Sequence, residues 1–277
     1  MAGAVPEPGS AKSDPILVAD RVRRSFGGLT AVDVGHLEVQ RGTITALIGP
    51  NGAGKSTLFN LLTGFDRVDQ GEWTFQGAGI NGKRGHQVAR AGMVRTFQLT
   101  KALTRMTVLD NMLLGAPGQF GEGMAGSFLR NVWRRQEQAN TVRAMELLER
   151  FKLIDKRDDM AGSLSGGQRK LLEMARALMT DPAMIMLDEP MAGVNPALVQ
   201  SLLGHITSLR DEGKTVLFVE HDMDVIMGIS DWIVVLAQGQ VIAEGTPADI
   251  RSNQQVIDAY LGAQDVDEDE APGSADE

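Results

Sequence analysis

An α/β fold with an inserted helical subdomain is predicted by three features of this 277-residue chain. The run Ala183-Met184-Ile185-Met186-Leu187 is continuously apolar and 215–219 nearly so, the pattern of parallel strands buried on both faces. Thr43-Ile44-Thr45-Ala46-Leu47-Ile48 reads as another strand, leading through a glycine-rich turn into a helix at Thr57-Leu58-Phe59-Asn60-Leu61-Leu62. Between these strands, an amphipathic stretch from about 128 repeats Val142, Met145, Leu148 and Phe151 at spacing three, which predicts a helical block inserted into the core. A hydrophobic fraction of 43% suffices for one large α/β domain with a subdomain.

Residues 1–15, rich in Ala, Gly, Pro and Ser, are expected to form a disordered arm. Strands are predicted over 16–24 and 32–39, separated by Phe26-Gly27-Gly28. Phe26 either offers its ring face to a planar ligand or is an ordinary core aromatic. Arg21, Arg23 and Arg24 read as a solvated strand face.

The turn Gly49-Pro50-Asn51-Gly52-Ala53-Gly54-Lys55-Ser56-Thr57 fits G-x-x-x-x-G-K-[ST], with a strand before it and a helix after it. In that context it is a phosphate-binding loop. Its glycines let successive N–H groups converge on an anion, and the next helix turns its positive dipole end to the same point. Lys55 then reaches the β- and γ-phosphates, and the Ser56 hydroxyl suits Mg²⁺, a hard cation that prefers oxygen.

Residues 71–75 alternate like a half-buried strand, and Val94-Arg95-Thr96-Phe97 forms another that ends at Gln98. A glycine-rich loop is expected over 115–126. Leu164-Ser165-Gly166-Gly167-Gln168 opens a helix and forms a second anion cradle, which one nucleotide at Lys55 does not need. The strand over 183–187 ends in Asp188-Glu189-Pro190, where open α/β sheets bind ligands. Asp188 can organise Mg²⁺ and Glu189 can polarise an attacking water. Asn195-Pro196 starts a helix, with Asn as cap and Pro at the first position. His221 follows the strand over 215–219 and is either structural or a contact for a terminal phosphate. A closing hairpin turns at Gln238-Gly239, and Thr246-Pro247-Ala248-Asp249 starts a last helix.

The net charge is −9, of which Asp265, Asp267, Glu268, Asp269, Glu270, Asp276 and Glu277 supply seven negatives from the tail. That acidic balance argues against non-specific nucleic-acid binding. The chain has no cysteine, which rules out disulfides and suits a reducing cytosol. It has neither a signal-peptide pattern nor an apolar run of about 18 residues, so a soluble protein, or one peripheral through a partner, is expected.

Together these residues resemble the ATP-binding subunits of ABC transporters, over roughly 16–262. The resemblance implies a P-loop NTPase with a RecA-like α/β core, an antiparallel β-subdomain and a helical subdomain over about 99–180, followed by an acidic disordered tail over 263–277. It implies ATP and Mg²⁺ as ligands. Gly49 to Thr57 would be the Walker A loop, with Phe26 at the adenine-stacking position where Tyr is common. Gln98 would be the glutamine loop, Ser165, Gly166, Gly167 and Gln168 the signature, Asp188 the end of Walker B, and His221 the switch histidine. Catalysis would fall to Glu189, His221, Gln98 and Lys55, and the metal to Ser56, Gln98 and Asp188.

In that family two nucleotide-binding domains close head to tail, so the signature of one covers the phosphate held by the other; this accounts for the spare cradle. Arg95-Thr96-Phe97-Gln98, Ala192-Gly193-Val194-Asn195-Pro196, Glu220-His221-Asp222-Met223 and Ala259-Tyr260-Leu261-Gly262 resemble the branched-chain amino acid importers in particular. The implied partners are a second ATPase subunit, two membrane permeases and a binding protein, with this chain peripheral at the cytoplasmic face of the inner membrane. Urea, amide or lipopolysaccharide transport ATPases would carry similar motifs. Soluble ABC proteins of translation or DNA repair usually add a second nucleotide unit or a long coiled coil, and neither is present.

Overall fold

The computed structural model describes residues 7–96, 104–117 and 130–260, with the side chains of 130–134 left aside. Two sheets share the α/β scaffold that the sequence predicts. In the first, β1 (Pro15–Phe26) and β2 (Leu29–Gln40) form a long antiparallel hairpin closed at Phe26 and Leu29. β4 (Gln70–Phe75) pairs with the other edge of β1 and carries the short β5 (Ala78–Gly79), giving the order β2-β1-β4-β5. Alternation sends Leu17, Ala19, Val22, Val32 and Val34 inward, where Trp73 and Phe75 of β4 meet them.

The second sheet combines β3 (Ile44–Ile48), β6 (Met93–Arg95), β7 (Met184–Asp188), β8 (Thr215–Val219), β9 (Trp232–Ala237) and β10 (Gln240–Gly245), in the order β10-β9-β3-β8-β7-β6. All its pairings are parallel except that of β10 with β9. The continuous apolar runs have their physical cause here, because the sheet separates two cores. Met184, Met186, Leu217 and Val219 face the core shared with the antiparallel sheet, whereas Ile185, Leu187, Val216 and Phe218 face the core built with the helices.

α1 (Lys55–Leu62) packs Leu58, Phe59, Leu61 and Leu62 into the first core. The second is filled from α3 (Val108–Leu114), α4 (Arg130–Arg150), α5 (Gly166–Ala177) and α6 (Pro196–Asp211), with α7 (Met223–Ile229) and α8 (Pro247–Arg251) at its margin; α2 (Gly85–Arg90) precedes β6. The expected caps are present. Asn195 accepts from Leu198 N with Pro196 at the first helical position, and Ser165 and Thr246 each form a reciprocal capping box. Among the described residues no helix is long and apolar enough to cross a membrane.

Three expectations change. Val142 is 58% exposed, and the buried stripe of α4 is Ala144, Leu147, Leu148 and Phe151. A spacing of three slips by about 60° per step, so after three steps Val142 lies opposite Phe151; mixing threes and fours keeps one face. Residues 7–14, expected within a disordered arm, lie against the body. Ser10 N donates to Glu244 Oε1, Lys12 N donates to Glu38 Oε2, and the Lys12 ammonium pairs with Glu244 at 2.9 Å while sitting 4.1 Å from the Trp232 ring centre. The strand predicted over 94–97 ends at Arg95. Residues 1–6, Gln98, most of the expected 115–126 loop, the start of its helix at 128 and the acidic tail lie outside the described residues.

Candidate functional site

The carboxyl ends of β3, β7 and β8 lie side by side, so the segments that follow them meet at one edge of the sheet. Gly49 to Thr57 leaves β3, Asp188-Glu189 ends β7, and Glu220-His221 follows β8. Residues 51–57, Glu189, His221, Gln238 and the start of β2 line a cleft of about 650 Å³, within the ordinary range for a small-molecule site.

Local geometry forces the loop's shape. Gly54 caps α1 with φ 97°, and a Cβ there would lie 2.2 Å from Ala31 O. Gly49, at φ 151°, would put a Cβ 2.0 Å from Leu236 O. Only glycine fits either place, because both a left-handed main chain and a neighbouring carbonyl exclude a side chain. No side chain caps α1, so its first turn keeps N–H groups for an anion. The Gln238-Gly239 turn, left-handed at both residues as a tight hairpin requires, braces the loop. Gly239 N donates to Ala53 O at 3.0 Å, and Asp33 N donates to Gly239 O at 2.8 Å.

Lys55 is only 6% exposed, and its ammonium donates to Gly49 O at 2.6 Å and Pro50 O at 2.9 Å. Burial lowers its pKa, and the Glu189 carboxylate partly offsets that. Glu189 has φ 45°, uncommon for a residue with a side chain, and its Oε1 lies 3.0 Å from His221 Nε2. His221 is therefore no buried structural histidine; it is exposed and paired with the carboxylate. Phe26 is 49% exposed, which removes the core reading, and the Arg24 guanidinium lies 4.6 Å from its ring centre.

Asp188 does not line this cleft. Its Oδ2 is 2.5 Å from an Arg95 guanidinium nitrogen, and Arg95 also donates to Asn60 Oδ1 on α1 at 2.6 Å. That arginine ties the ends of β6 and β7 to the phosphate-loop helix. Sequence reading missed it, as it missed Glu220, whose buried carboxylate accepts from Met191 N at 2.7 Å and His221 N at 3.2 Å. A charged residue directly after an apolar strand run was the available signal for Glu220; Arg95 had none, because its partner is 93 residues away.

The donor set fits Mg²⁺. Ser56 offers an exposed hydroxyl, and Asp188 keeps one carboxylate oxygen beyond the one Arg95 holds. Among the described residues no group of three or more His, Cys, Asp or Glu is placed to hold a metal. Gln98, the other expected ligand, lies outside the described residues.

The signature segment stands apart from the phosphate cleft. Ser165 and Gly166 are exposed, while Gly167 is buried where a Cβ would lie 1.8 Å from Leu198 Cδ2, so α5 approaches α6 closely there. Gln168 is held in the capping box with Ser165, at 3.0 and 3.2 Å. Behind them a second cavity of about 220 Å³ opens between α5 and the end of β7. On its wall burial pushes the Glu173 carboxyl up from 4.5 to about 7 against the pull of Lys170, Arg176 and Arg169, and Glu173 Oε1 has no hydrogen-bond partner. The folded chain thus keeps a proton that the unfolded chain releases near pH 4.5. Its stabilising effect is complete below that value and is lost as pH rises through about 7. Glu173→Gln cannot ionise, so denaturant unfolding should show it losing less stability than the parent between about pH 5 and about pH 8. Parallel pH profiles would contradict this.

The chain matches the family model for ABC transporters over residues 32–192, and a model described as branched-chain amino acid ATP-binding cassette transporter over 240–266. It is 44% identical over 250 residues to the probable branched-chain amino acid transport ATP-binding protein LivG of Archaeoglobus fulgidus, covering 90% of this chain and 96% of that one. It is 44% identical over 252 residues to the high-affinity branched-chain amino acid transport ATP-binding protein BraF of Pseudomonas aeruginosa, covering 90% and 99%. Among solved structures, a nucleotide-free ATP-binding cassette of an ABC transporter superposes with TM-score 0.78 at 39% identity, covering 88% of this chain and 98% of that chain. The ADP conformation of such a cassette gives 0.79 at 39% identity, covering 90% and 100%.

Proposed function

The chain belongs to the ABC transporter family, and on that premise we propose that it is the ATP-binding, ATP-hydrolysing subunit of an importer for branched-chain amino acids. The observation that carries the ATPase reading is the gathering of the phosphate-binding loop, Lys55, Glu189 and His221 in one cleft at the ends of three parallel strands. The names of the relatives, and the match over 240–266, support the substrate.

In this reading Lys55 and the loop amides hold the β- and γ-phosphates, and Leu29 with the exposed ring of Phe26 offers the adenine an apolar platform. Ser56, Asp188 and Gln98 would hold Mg²⁺, Asp188 through water. Bound there, the ion neutralises charge on the phosphate oxygens. Glu189 accepts the proton of the attacking water, and His221, 3.0 Å away, fixes the direction of that carboxylate.

Ser165 and Gly166 are exposed and lie outside this chain's own cleft, which supports their use on a phosphate held by a second nucleotide-binding domain. Two such domains closing head to tail, each with its nucleotide-binding body over 16–262 and a helical subdomain over about 99–180, would complete two sites. Membrane permeases would supply the spanning part, a binding protein the specificity, and this chain would sit at the cytoplasmic face.

The assembled complex in proteoliposomes tests the reading. ATP hydrolysis should rise when binding protein loaded with leucine, isoleucine or valine is added; a complex that ignores all three would refute the substrate assignment. Ser165→Arg should keep ATP binding at Lys55 while lowering turnover at least about tenfold, because bulk and charge oppose closure on the neighbouring phosphate. Full turnover by that variant, or strong turnover by dilute isolated subunit, would remove the composite site.

A further inference from the structure

We propose that Lys170 is a positioning residue for Glu189, fixing the main chain of the residue read above as the hydrolytic base; the inference rests on that reading. Glu189 is an awkward residue to hold. Its φ of 45° is left-handed, and it precedes Pro190, a position that favours extended backbone. Such a conformation persists only where its surroundings over-determine it.

Four contacts do so, three of them from other parts of the chain. Glu189 N donates to Val219 O at 3.0 Å, Glu189 Oε1 meets His221 Nε2 at 3.0 Å, Glu189 O accepts from the Lys170 ammonium at 3.0 Å, and within the turn Glu189 O also accepts from Ala192 N at 3.2 Å. The first is a neutral main-chain bond from β8, and the second fixes only the end of the side chain. The third is charge-assisted and acts on the peptide plane between Glu189 and Pro190, whose rotation would swing the carboxylate.

Lys170 makes this contact across a gap. The cavity of about 220 Å³ between α5 and the end of β7 is lined by Lys170, Glu173, Asp188 and Pro190. Among the described residues no other hydrogen bond joins α5 to residues 188–193. At this cavity the lysine bridges the helix and the turn. The same helix begins at Ser165 and Gly166, so one rigid element presents the signature at its start and grips the turn after β7 one turn later. A displacement of α5 by whatever docks on Ser165 would reach Glu189 through Lys170.

The test is a double-mutant cycle in the assembled transporter with full-length chains, read as kcat, KM for ATP and nucleotide affinity, with thermal unfolding as the control for folding. Lys170→Met keeps the stem and removes the charge. It should lower kcat roughly ten- to a hundredfold and leave KM and ATP affinity within about twofold, because a misplaced base affects the chemical step and not ground-state binding. Lys170→Arg should restore most of the rate, and Lys170→Gln should behave like Lys170→Met if the latter folds poorly. On a Glu189→Gln background, single-turnover hydrolysis should be unchanged by Lys170→Met, since the lysine acts through the carboxylate already removed.

Turnover of Lys170→Met within about twofold of the parent would overturn the inference. So would a further slowing on the Glu189→Gln background, which would mark a general structural role. An inactive Glu189→Gln beside a fully active Lys170→Met would sink this inference alone. Near-parental turnover by Glu189→Gln would sink the base reading and this inference with it.

Discussion

Glu189→Gln should bind ATP as the parent does and hydrolyse it about a hundred to ten thousand times more slowly, the usual contribution of a positioned general base. The substitution is nearly isosteric, so what it removes is the capacity to take a proton. Main-chain anchors of residue 189, from Lys170 to its carbonyl and from its own N–H to Val219 O, do not involve the side chain and should persist. His221 Nε2, now 3.0 Å from a carboxylate oxygen, can still donate to the amide oxygen. With hydrolysis blocked and binding spared, the dimer should accumulate closed around ATP. Rapid-quench turnover together with nucleotide titration separates the two effects. A variant that turns over within a few-fold of the parent would take the proton-accepting role away from Glu189.

Lys55→Ala should abolish measurable turnover and weaken ATP binding by roughly ten- to a hundredfold, the worth of a charged hydrogen bond of about 1.5–3 kcal/mol. The motif places this lysine at the β- and γ-phosphates and says nothing of its packing. The structure supplies that packing. The side chain is buried, and its ammonium closes the loop on Gly49 O and Pro50 O. Truncation therefore also leaves two carbonyls short of a donor and should loosen the loop. Lys55→Met, which keeps the stem, should recover the packing loss in thermal unfolding and none of the turnover. Unchanged affinity and turnover in Lys55→Ala would contradict the phosphate-binding assignment itself.

Removing Lys55 thus probes a residue whose chemistry was plain from its motif and whose packing was not. The same division runs through the molecule. His221 was left between a structural and a phosphate-sensing role because a strand end predicts proximity to a ligand edge and nothing about partners; its pairing with Glu189 depends on β8 lying beside β7. Gly167 read as half of an anion cradle because Gly-Gly after Ser suits one. The structure adds a close approach of Gly167 to Leu198 on α6, a contact that local sequence does not show.

What the sequence determined by itself was everything set by neighbours a few residues apart. The left-handed turns of the phosphate loop, the caps at Ser165, Asn195 and Thr246, and the two-sided burial of β7 and β8 all follow from main-chain sterics, short side chain to main chain bonds and hydrophobic periodicity. What only the tertiary structure decided was which distant groups meet. The sheet order β10-β9-β3-β8-β7-β6 inverts much of the chain order. That inversion sets Arg95 on Asp188 and anchors Lys12 to Glu244. Packing of α5 against the end of β7 brings Lys170 to Glu189 O. These contacts arise from the closure of two cores around one sheet, a cooperative packing outcome, and no local pattern of residue types encodes a partner that lies on another element.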